Sequence, residues 1–168
     1  MNATRRPLLR AVLLFAAAGL VAGPHPAALG AGASAPVRFE TSNLVVVTAQ
    51  GRSGFTVELA LNEAQRVQGL QGRRRLAADA GMLLDFQGTG PVVMWMKDTY
   101  VPLDMLFIDS GGRIVNIAEH TVPLSLTAIR SAGPVRAVLE LNAGTATRLG
   151  IRPGDRVLHS VFGAGRDR

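Results

Sequence analysis

The stretch PVVMWMKDTYVPLDMLFID, from Pro91 to Asp109, decides the fold. It contains two nearly continuous apolar runs that flank a short polar connection, Lys97-Asp98-Thr99. Apolar residues also fill the positions that would alternate with polar ones in a half-exposed strand, so we predict two strands that are covered on both faces. Charged residues at the border of such strands pair with each other, reach water or bind a ligand.

Short strand patterns recur on both sides of this block. We predict a hairpin of residues 44–48 and 55–61 around the turn 50–54, and further strands at 81–86, 113–119, 136–141 and 157–162, with a turn at 87–90. Asn62 begins one predicted helix, which continues to Gly72, with Gln65 completing a capping box, and Asn142 caps a second short helix. Many short strands and few helices predict a mainly β fold, an antiparallel sandwich or barrel.

The N-terminus has the pattern of an export signal. Arginines at positions 5, 6 and 10 precede an apolar stretch at 11–22, and residues 31–33 fit a cleavage site. The pattern fits both an ordinary secretory signal and a twin-arginine signal. We therefore predict a periplasmic or secreted protein, which would meet a membrane only through an uncleaved signal. Residues 1–33 would be the cleavable signal, 34–40 a flexible linker, 41–163 a single β-domain and 164–168 a disordered tail.

Composition excludes several classes of function. The predicted signal holds three of the eighteen Lys and Arg residues and none of the twelve Asp and Glu residues, so its removal lowers the net charge from +6 to +3. This surplus is too small to predict nucleic-acid binding. The absence of cysteine excludes disulfides, thiol catalysis and cysteine-ligated metals. No motif indicates a cofactor, and we predict none.

Three segments carry a resemblance to a known family. They are RVQGLQGRRRLAADAGMLLDF (66–86), MWMKDTYVPLDMLFID (94–109) and VLELNAGTATRLGIRPGDRV (138–157). With the intervening GRIVNI, they resemble domain of unknown function 192 over nearly all of the mature chain. The resemblance implies a compact, jelly-roll-like, mainly β fold with a small helix, usually in exported or envelope-anchored bacterial proteins. It implies no activity, cofactor or catalytic residue. Family members usually have methionine, asparagine and an aromatic residue where this chain has Gln71, Asp98 and Met94.

The first candidate site is the connection from Lys97 to Asp104. Lys97 is the only lysine of the chain, and its compact ammonium differs from a guanidinium in hydration and in how readily its pKa shifts. With Trp95, Asp98 and Asp104, it would form a pocket that holds a small polar ligand or an envelope protein. The alternative is an ion pair that only fixes the connection between two strands.

Trp95 and Tyr100 are the only tryptophan and tyrosine, and both lie in this block. Exposed aromatic rings at these positions would provide a stacking platform for a carbohydrate, whereas buried rings would contribute to packing. We expect Trp95 to be buried, and the loop position of Tyr100 fits either environment.

Glu119 and His120 are further candidate binding residues and raise an alternative function. With Asp104, they would supply the acid and base of a hydrolase whose nucleophile is Ser125 or Ser131. No Gly-x-Ser-x-Gly elbow supports that function. A histidine at a strand end is more often a surface or capping residue.

Met94 and Met96 raise a third possibility, copper binding with His120 as a further ligand. Strand residues two apart point to the same side, and thioethers are suitable ligands for Cu(I). Methionines are also common fillers of gaps in apolar cores, and core packing is the alternative interpretation.

Glu140 lies between two leucines and points to the opposite face from them, so we predict that it is solvated or bonded to the backbone. His159 lies in the last predicted strand and is expected at the surface or in a cap.

Overall fold

The computed structural model describes residues 36–163, so the predicted signal, the first two residues of the predicted linker and the predicted tail lie outside the described residues. The strands are β1 (Glu40–Thr48), β2 (Gly51–Ala60), β3 (Ala80–Gly90), β4 (Val93–Met94), β5 (Leu103–Ile108), β6 (Ile114–Ala118), β7 (Ile129–Arg130), β8 (Val135–Asn142) and β9 (Arg156–Leu158). Two α-helices, α1 (Glu63–Gln68) and α2 (Thr145–Leu149), and a 3₁₀ helix at Ser160–Phe162 complete the described part. None of its helices is long and apolar enough to cross a membrane.

Seven strands form one curled sheet in the order β6-β5-β8-β3-β2-β1-β9, and β4 pairs with β7 in a separate small sheet. The edges of the large sheet meet where Arg113 pairs with Arg156 and the Val157 amide donates to the Gly112 carbonyl at 2.7 Å. The fold class predicted from the sequence, mainly β with short helices, is confirmed. One pair, β2–β3, is parallel, because α1 and the loop after it carry the chain back before β3 begins.

The three central strands β3, β5 and β8 separate two apolar cores. Leu83, Leu106 and Leu139 belong to the core inside the curled sheet, where α2 also packs. Their neighbours in sequence, such as Met82 and Met105, belong to the core on the outer face. All six residues of β5 are buried, which confirms double coverage for the second apolar run of the opening block.

The prediction for the first apolar run is wrong. Only Val93 and Met94 form a strand, and the side chains of Val93 and Trp95 are 53% and 55% exposed. The run crosses the outer face of the sheet as a cover, where the Met96 amide donates to the Ser125 carbonyl at 2.9 Å. Its buried residues, Val92 and Met96, pack on the outer core with the partly buried Met94, while Val93 and Trp95 face solvent.

The predicted capping box of α1 is confirmed. The Gln65 amide donates to Asn62 Oδ1 at 2.9 Å, and the Asn62 amide donates to Gln65 Oε1 at 3.2 Å. The helix ends at Gly69, earlier than the predicted end at Gly72. Val67 in this helix is 66% exposed.

Three other local predictions are corrected. Asn142 does not cap α2, which begins after Gly144, because its side-chain amide donates to the Leu76 and Ala77 carbonyls. β3 continues through the turn predicted at 87–90, with an irregular register after Asp85. The last strand ends at Leu158 and a 3₁₀ helix follows.

Candidate functional site

Glu140 lies on β8 and faces the outer core, where it borders a cavity of about 40 Å³. The cavity lies between the end of α1, the connection Lys97-Asp98-Thr99, called the Lys97 loop below, and the sheet. Its lining consists of Arg66, Val67, Gln68, Gly69, Leu70, Gln71, Leu84, Met94, Trp95, Lys97, Thr99 and Glu140.

The environment of the Glu140 carboxylate is unusual. The residue is only 5% exposed, and within residues 36–163 no hydrogen bond or ion pair reaches its side chain. Burial raises the pKa of Glu140 from its ordinary value of 4.5 to about 7, because the charged form loses its hydration. A buried titratable group with a shifted pKa in a cavity is a candidate for function.

The Lys97 loop forms one wall of this cavity. Lys97 Nζ forms an ion pair with Asp98 Oδ2 at 2.7 Å, and Thr99 Oγ1 donates to the Lys97 carbonyl at 3.2 Å. The Gly72 amide donates to the Asp98 carbonyl at 2.9 Å, which joins the loop to the segment after α1. Asp98 has a φ of 54°, a left-handed conformation that asparagine and aspartate adopt more readily than other non-glycine residues. An aspartate is therefore well suited to this position of the loop.

An apolar groove of about 270 Å³ adjoins the cavity. Its lining consists of Glu63, Arg66, Val67, Leu84, Phe86, Val93, Met94 and Trp95. Five of these residues also line the cavity, namely Arg66, Val67, Leu84, Met94 and Trp95. The polar cavity and the apolar groove are therefore neighbours that share part of their lining between α1 and residues 93–97.

The structure places the predicted residues of the opening block in three different environments. Lys97 and Trp95 line the cavity, and Trp95 is exposed, contrary to the expected burial. Asp98 pairs with Lys97. Tyr100 is 42% exposed, and the Arg74 guanidinium lies 4.7 Å from its ring centroid, so this ring stacks on a side chain of the protein itself.

Asp104 does not join Lys97 in a pocket. It is fully buried, its Oδ1 accepts a hydrogen bond from the His120 amide at 2.9 Å, and its Oδ2 accepts one from the Ala146 amide at 2.8 Å. The second bond satisfies an amide in the first turn of α2. Asp104 is therefore a structural link between β5, the strand end after β6 and α2, because both of its oxygens are engaged by the backbone.

Glu119 and His120 are exposed and border a shallow depression that Ser125 also lines. Glu119 Oε2 accepts a hydrogen bond from Thr147 Oγ1 at 2.6 Å. Asp104 does not line this depression. Ser131, the other predicted nucleophile, accepts a hydrogen bond from the Val92 amide at 3.0 Å. The structure therefore does not bring together the acid, base and nucleophile predicted for a hydrolase.

The two methionines predicted for copper are separated by their environments. Met96 is fully buried and accepts a hydrogen bond from Thr121 Oγ1 at 3.1 Å, whereas Met94 borders the groove. They do not present an open pair of thioethers. Among residues 36–163, there is also no cluster of three or more His, Asp or Glu that could hold a metal.

Glu140 departs from the sequence prediction, whereas His159 agrees with one of its two alternatives. Glu140 is not bonded to the backbone, and because β8 is central in the sheet and both of its faces are covered, its carboxylate oxygens keep only a small contact with solvent. The sequence signal that could have predicted the burial of Glu140 is a glutamate within the apolar run VLEL, residues 138–141. His159 is buried and accepts a hydrogen bond from the Val161 amide, which confirms a capping role but not surface exposure.

Comparisons with known proteins agree with this fold. The profile of the DUF192 family, described as an uncharacterized ACR, matches residues 45–159. The chain belongs to the DUF192 family. All three segments quoted for the resemblance lie within the match. No curated protein matches the chain.

Two solved structures extend the comparison of this DUF192 domain. One, from Sinorhizobium meliloti 1021, is named as a candidate transcription regulator. It is 52% identical, with a TM-score of 0.73, and the match covers 76% of this chain and 99% of the other. The second, from Novosphingobium aromaticivorans DSM 12444, is a protein of unknown function. It is 39% identical, with a TM-score of 0.69, and the match covers 71% and 85%.

Proposed function

We propose that this DUF192 domain is an exported binding module, periplasmic or secreted, that holds a small polar ligand in the cavity at Glu140. One observation carries the proposal: Glu140 is only 5% exposed and borders a cavity, and its carboxylate has no partner among the described residues. Burying an unpaired carboxylate costs free energy, and a ligand that donates a hydrogen bond to it recovers part of that cost.

The cavity sets the size and chemistry of the group that binds. One water molecule needs a cavity volume of roughly 10–15 Å³. The volume of about 40 Å³ therefore accommodates a group of two or three heavy atoms. An ionised carboxylate only accepts hydrogen bonds, so the ligand must supply the donor. The sequence predicted a site centred on Lys97. In this proposal Lys97, which is paired with Asp98, forms part of the wall of the cavity.

The name of the Sinorhizobium relative raises the alternative of a regulator that binds DNA. The two α-helices of residues 36–163 have only six and five residues, short for a recognition helix in a major groove. Two of the three consecutive arginines are also engaged, Arg73 with Glu58 at 2.6 Å and Arg74 with the Tyr100 ring. These contacts favour the proposed small ligand over nucleic acid.

Titration of the folded protein with small probes tests this proposal. Trp95 is the only tryptophan and lines the cavity, so its fluorescence reports binding there. Methylammonium and formamide, which both donate hydrogen bonds and have the size that the cavity accepts, should change the fluorescence in a saturable way, whereas formate should not. Glu140→Gln should weaken methylammonium binding at least about tenfold, because a charge-assisted hydrogen bond is lost.

Glu119→Gln is the matched control, since it removes an exposed carboxylate that does not line the cavity. This variant should bind the probes like the unmodified protein. The proposal is overturned if neither donor probe saturates, or if Glu140→Gln and Glu119→Gln bind both probes equally.

A further inference from the structure

We propose that the ligand of this site is a primary alkylammonium, with its ammonium group at Glu140 and its apolar chain along the groove. This inference rests on the proposed function and specifies the ligand class. The inference follows from two observations. The cavity is lined by one acid that has no partner, and it shares five lining residues with a groove that is apolar and open to solvent.

The cavity favours a compact cation. An ammonium has one nitrogen with three donors, which fits a space for two or three heavy atoms, whereas a planar guanidinium has four heavy atoms. Attraction between a cation and the Glu140 carboxylate is strong in this location because little water screens it. A neutral donor of the same size gains only the hydrogen bond.

The two cations that line the cavity do not occupy this position. Lys97 Nζ is bound to Asp98 at 2.7 Å. Arg66 Nη1 donates to the Asp85 carbonyl at 2.9 Å and to the Leu61 carbonyl at 3.2 Å, and its guanidinium lies over the Phe86 ring. Both side chains contribute to the walls while their charged groups bind elsewhere.

The groove favours an apolar chain attached to the ammonium. Val67, Val93 and Trp95 are each more than half exposed. They border the groove, and Val67 and Trp95 also border the cavity, so a chain leaving an ammonium at Glu140 passes directly onto apolar side chains. Burial of each methylene there should strengthen binding by up to about fourfold.

Isothermal titration of the folded protein with methylammonium, propylammonium and hexylammonium chloride tests the inference. Affinity should rise about two- to fourfold for each added methylene. Hexylguanidinium and hexanol should bind at least about tenfold more weakly than hexylammonium, and hexanoate should not bind. Val93→Ser, which changes the lining of the groove but not that of the cavity, should flatten the dependence of affinity on chain length and weaken hexylammonium binding more than methylammonium binding.

Val122→Ser is the matched control, because Val122 is 67% exposed and lines neither space. If methylammonium binds and the longer chains bind no better, the inference fails while the proposed function stands. Equal affinity of hexanol and hexylammonium also overturns the inference. If none of the amines binds, the inference fails, and the proposed function fails as well only if the neutral donor formamide does not bind either. Lys97→Met should keep or increase the affinity for methylammonium, because Lys97 Nζ is bound to Asp98 and not to Glu140, and a loss of methylammonium binding in that variant would overturn the inference.

Discussion

Three carboxylates are buried in the central strands, and their surroundings differ. Asp85 accepts hydrogen bonds from the Arg136 guanidinium at 3.1 and 3.2 Å, and this contact raises the pKa of Arg136. Asp104 accepts hydrogen bonds from two backbone amides. Glu140 has neither kind of partner among residues 36–163. Asp85 and Asp104 are therefore explained by the fold itself, whereas Glu140 requires another explanation, and a ligand provides one.

The raised pKa of Glu140 predicts a pH dependence of stability. Between about pH 4.5 and about pH 7, the folded state keeps a proton that the unfolded state releases, so stability falls as pH rises through this window and is level above it. The free energy of unfolding of Glu140→Gln, relative to the unmodified protein, should therefore grow by roughly 3 kcal/mol from about pH 4 to about pH 8. Urea unfolding at both pH values measures the difference.

Other charged groups affect this comparison in known directions. Lys97 and Arg66 line the cavity, and their attraction would reduce the effect. Burial lowers the pKa of His159, which costs stability as pH falls below the ordinary value, but this group is present in both proteins and cancels. A difference that does not change with pH would show that the carboxylate is solvated in the folded protein.

Asp104 should behave as a structural residue. Asp104→Ala leaves the His120 and Ala146 amides without their acceptors, and we expect a loss of about 3 kcal/mol in the free energy of unfolding. Asp104→Asn keeps an acceptor for one amide and should lose less. Chemical denaturation measures both variants, with Asp79→Ala at an exposed position as the control, expected within about 0.5 kcal/mol. If Asp104→Ala is as stable as the unmodified protein, Asp104 has no structural role and becomes a candidate binding residue again.

At the scale of elements, two segments form the walls of the site. α1 is a short helix with no buried residue, held by its capping box, and residues 93–97 pass over the outer core with only two strand residues. The sequence predicted the capping box because it depends on local spacing. The sequence prediction of a doubly covered strand at residues 91–96 was wrong. An apolar run has the same pattern in a central strand and in a segment that covers a sheet and exposes some of its residues to a groove.

Removal of the cap should loosen α1. Asn62→Ala loses the acceptor for the Gln65 amide, which should cost about 1 kcal/mol and speed hydrogen exchange at the Arg66 and Gly69 amides. Asn43→Ala, at an exposed position of β1, is the control and should leave both amides as protected as before. If exchange at α1 is equal in the two variants, the cap does not hold this wall of the site.

At the scale of the whole molecule, the curl of the sheet places seven strands around one core and leaves the outer face for the site. The sequence predicted most strands and the mainly β class, since periodicity and turn residues are local. It did not predict that β8 is central, because strand order depends on contacts between distant segments. The burial of Glu140 follows from that order, so the site could be predicted only near Lys97 and Trp95 and not at its floor.

Closure of the sheet edges should depend on Gly112. This residue has a φ of 80°, and an added Cβ would lie 2.5 Å from the Val157 carbonyl oxygen. Gly112→Ala should therefore destabilise the protein by at least about 2 kcal/mol more than Gly163→Ala, which has a φ of 72° and open space around it. Thermal unfolding of both variants measures the difference, and equal losses would mean that the contact at the sheet edges adds nothing to stability.

The most direct test of the central claim is a crystal structure of the protein soaked with methylammonium. Our account predicts the ammonium nitrogen in the cavity between α1 and the Lys97 loop, within about 3.2 Å of a Glu140 carboxylate oxygen. A cavity in which Glu140 is bonded to Lys97 Nζ, with no probe bound, would contradict it.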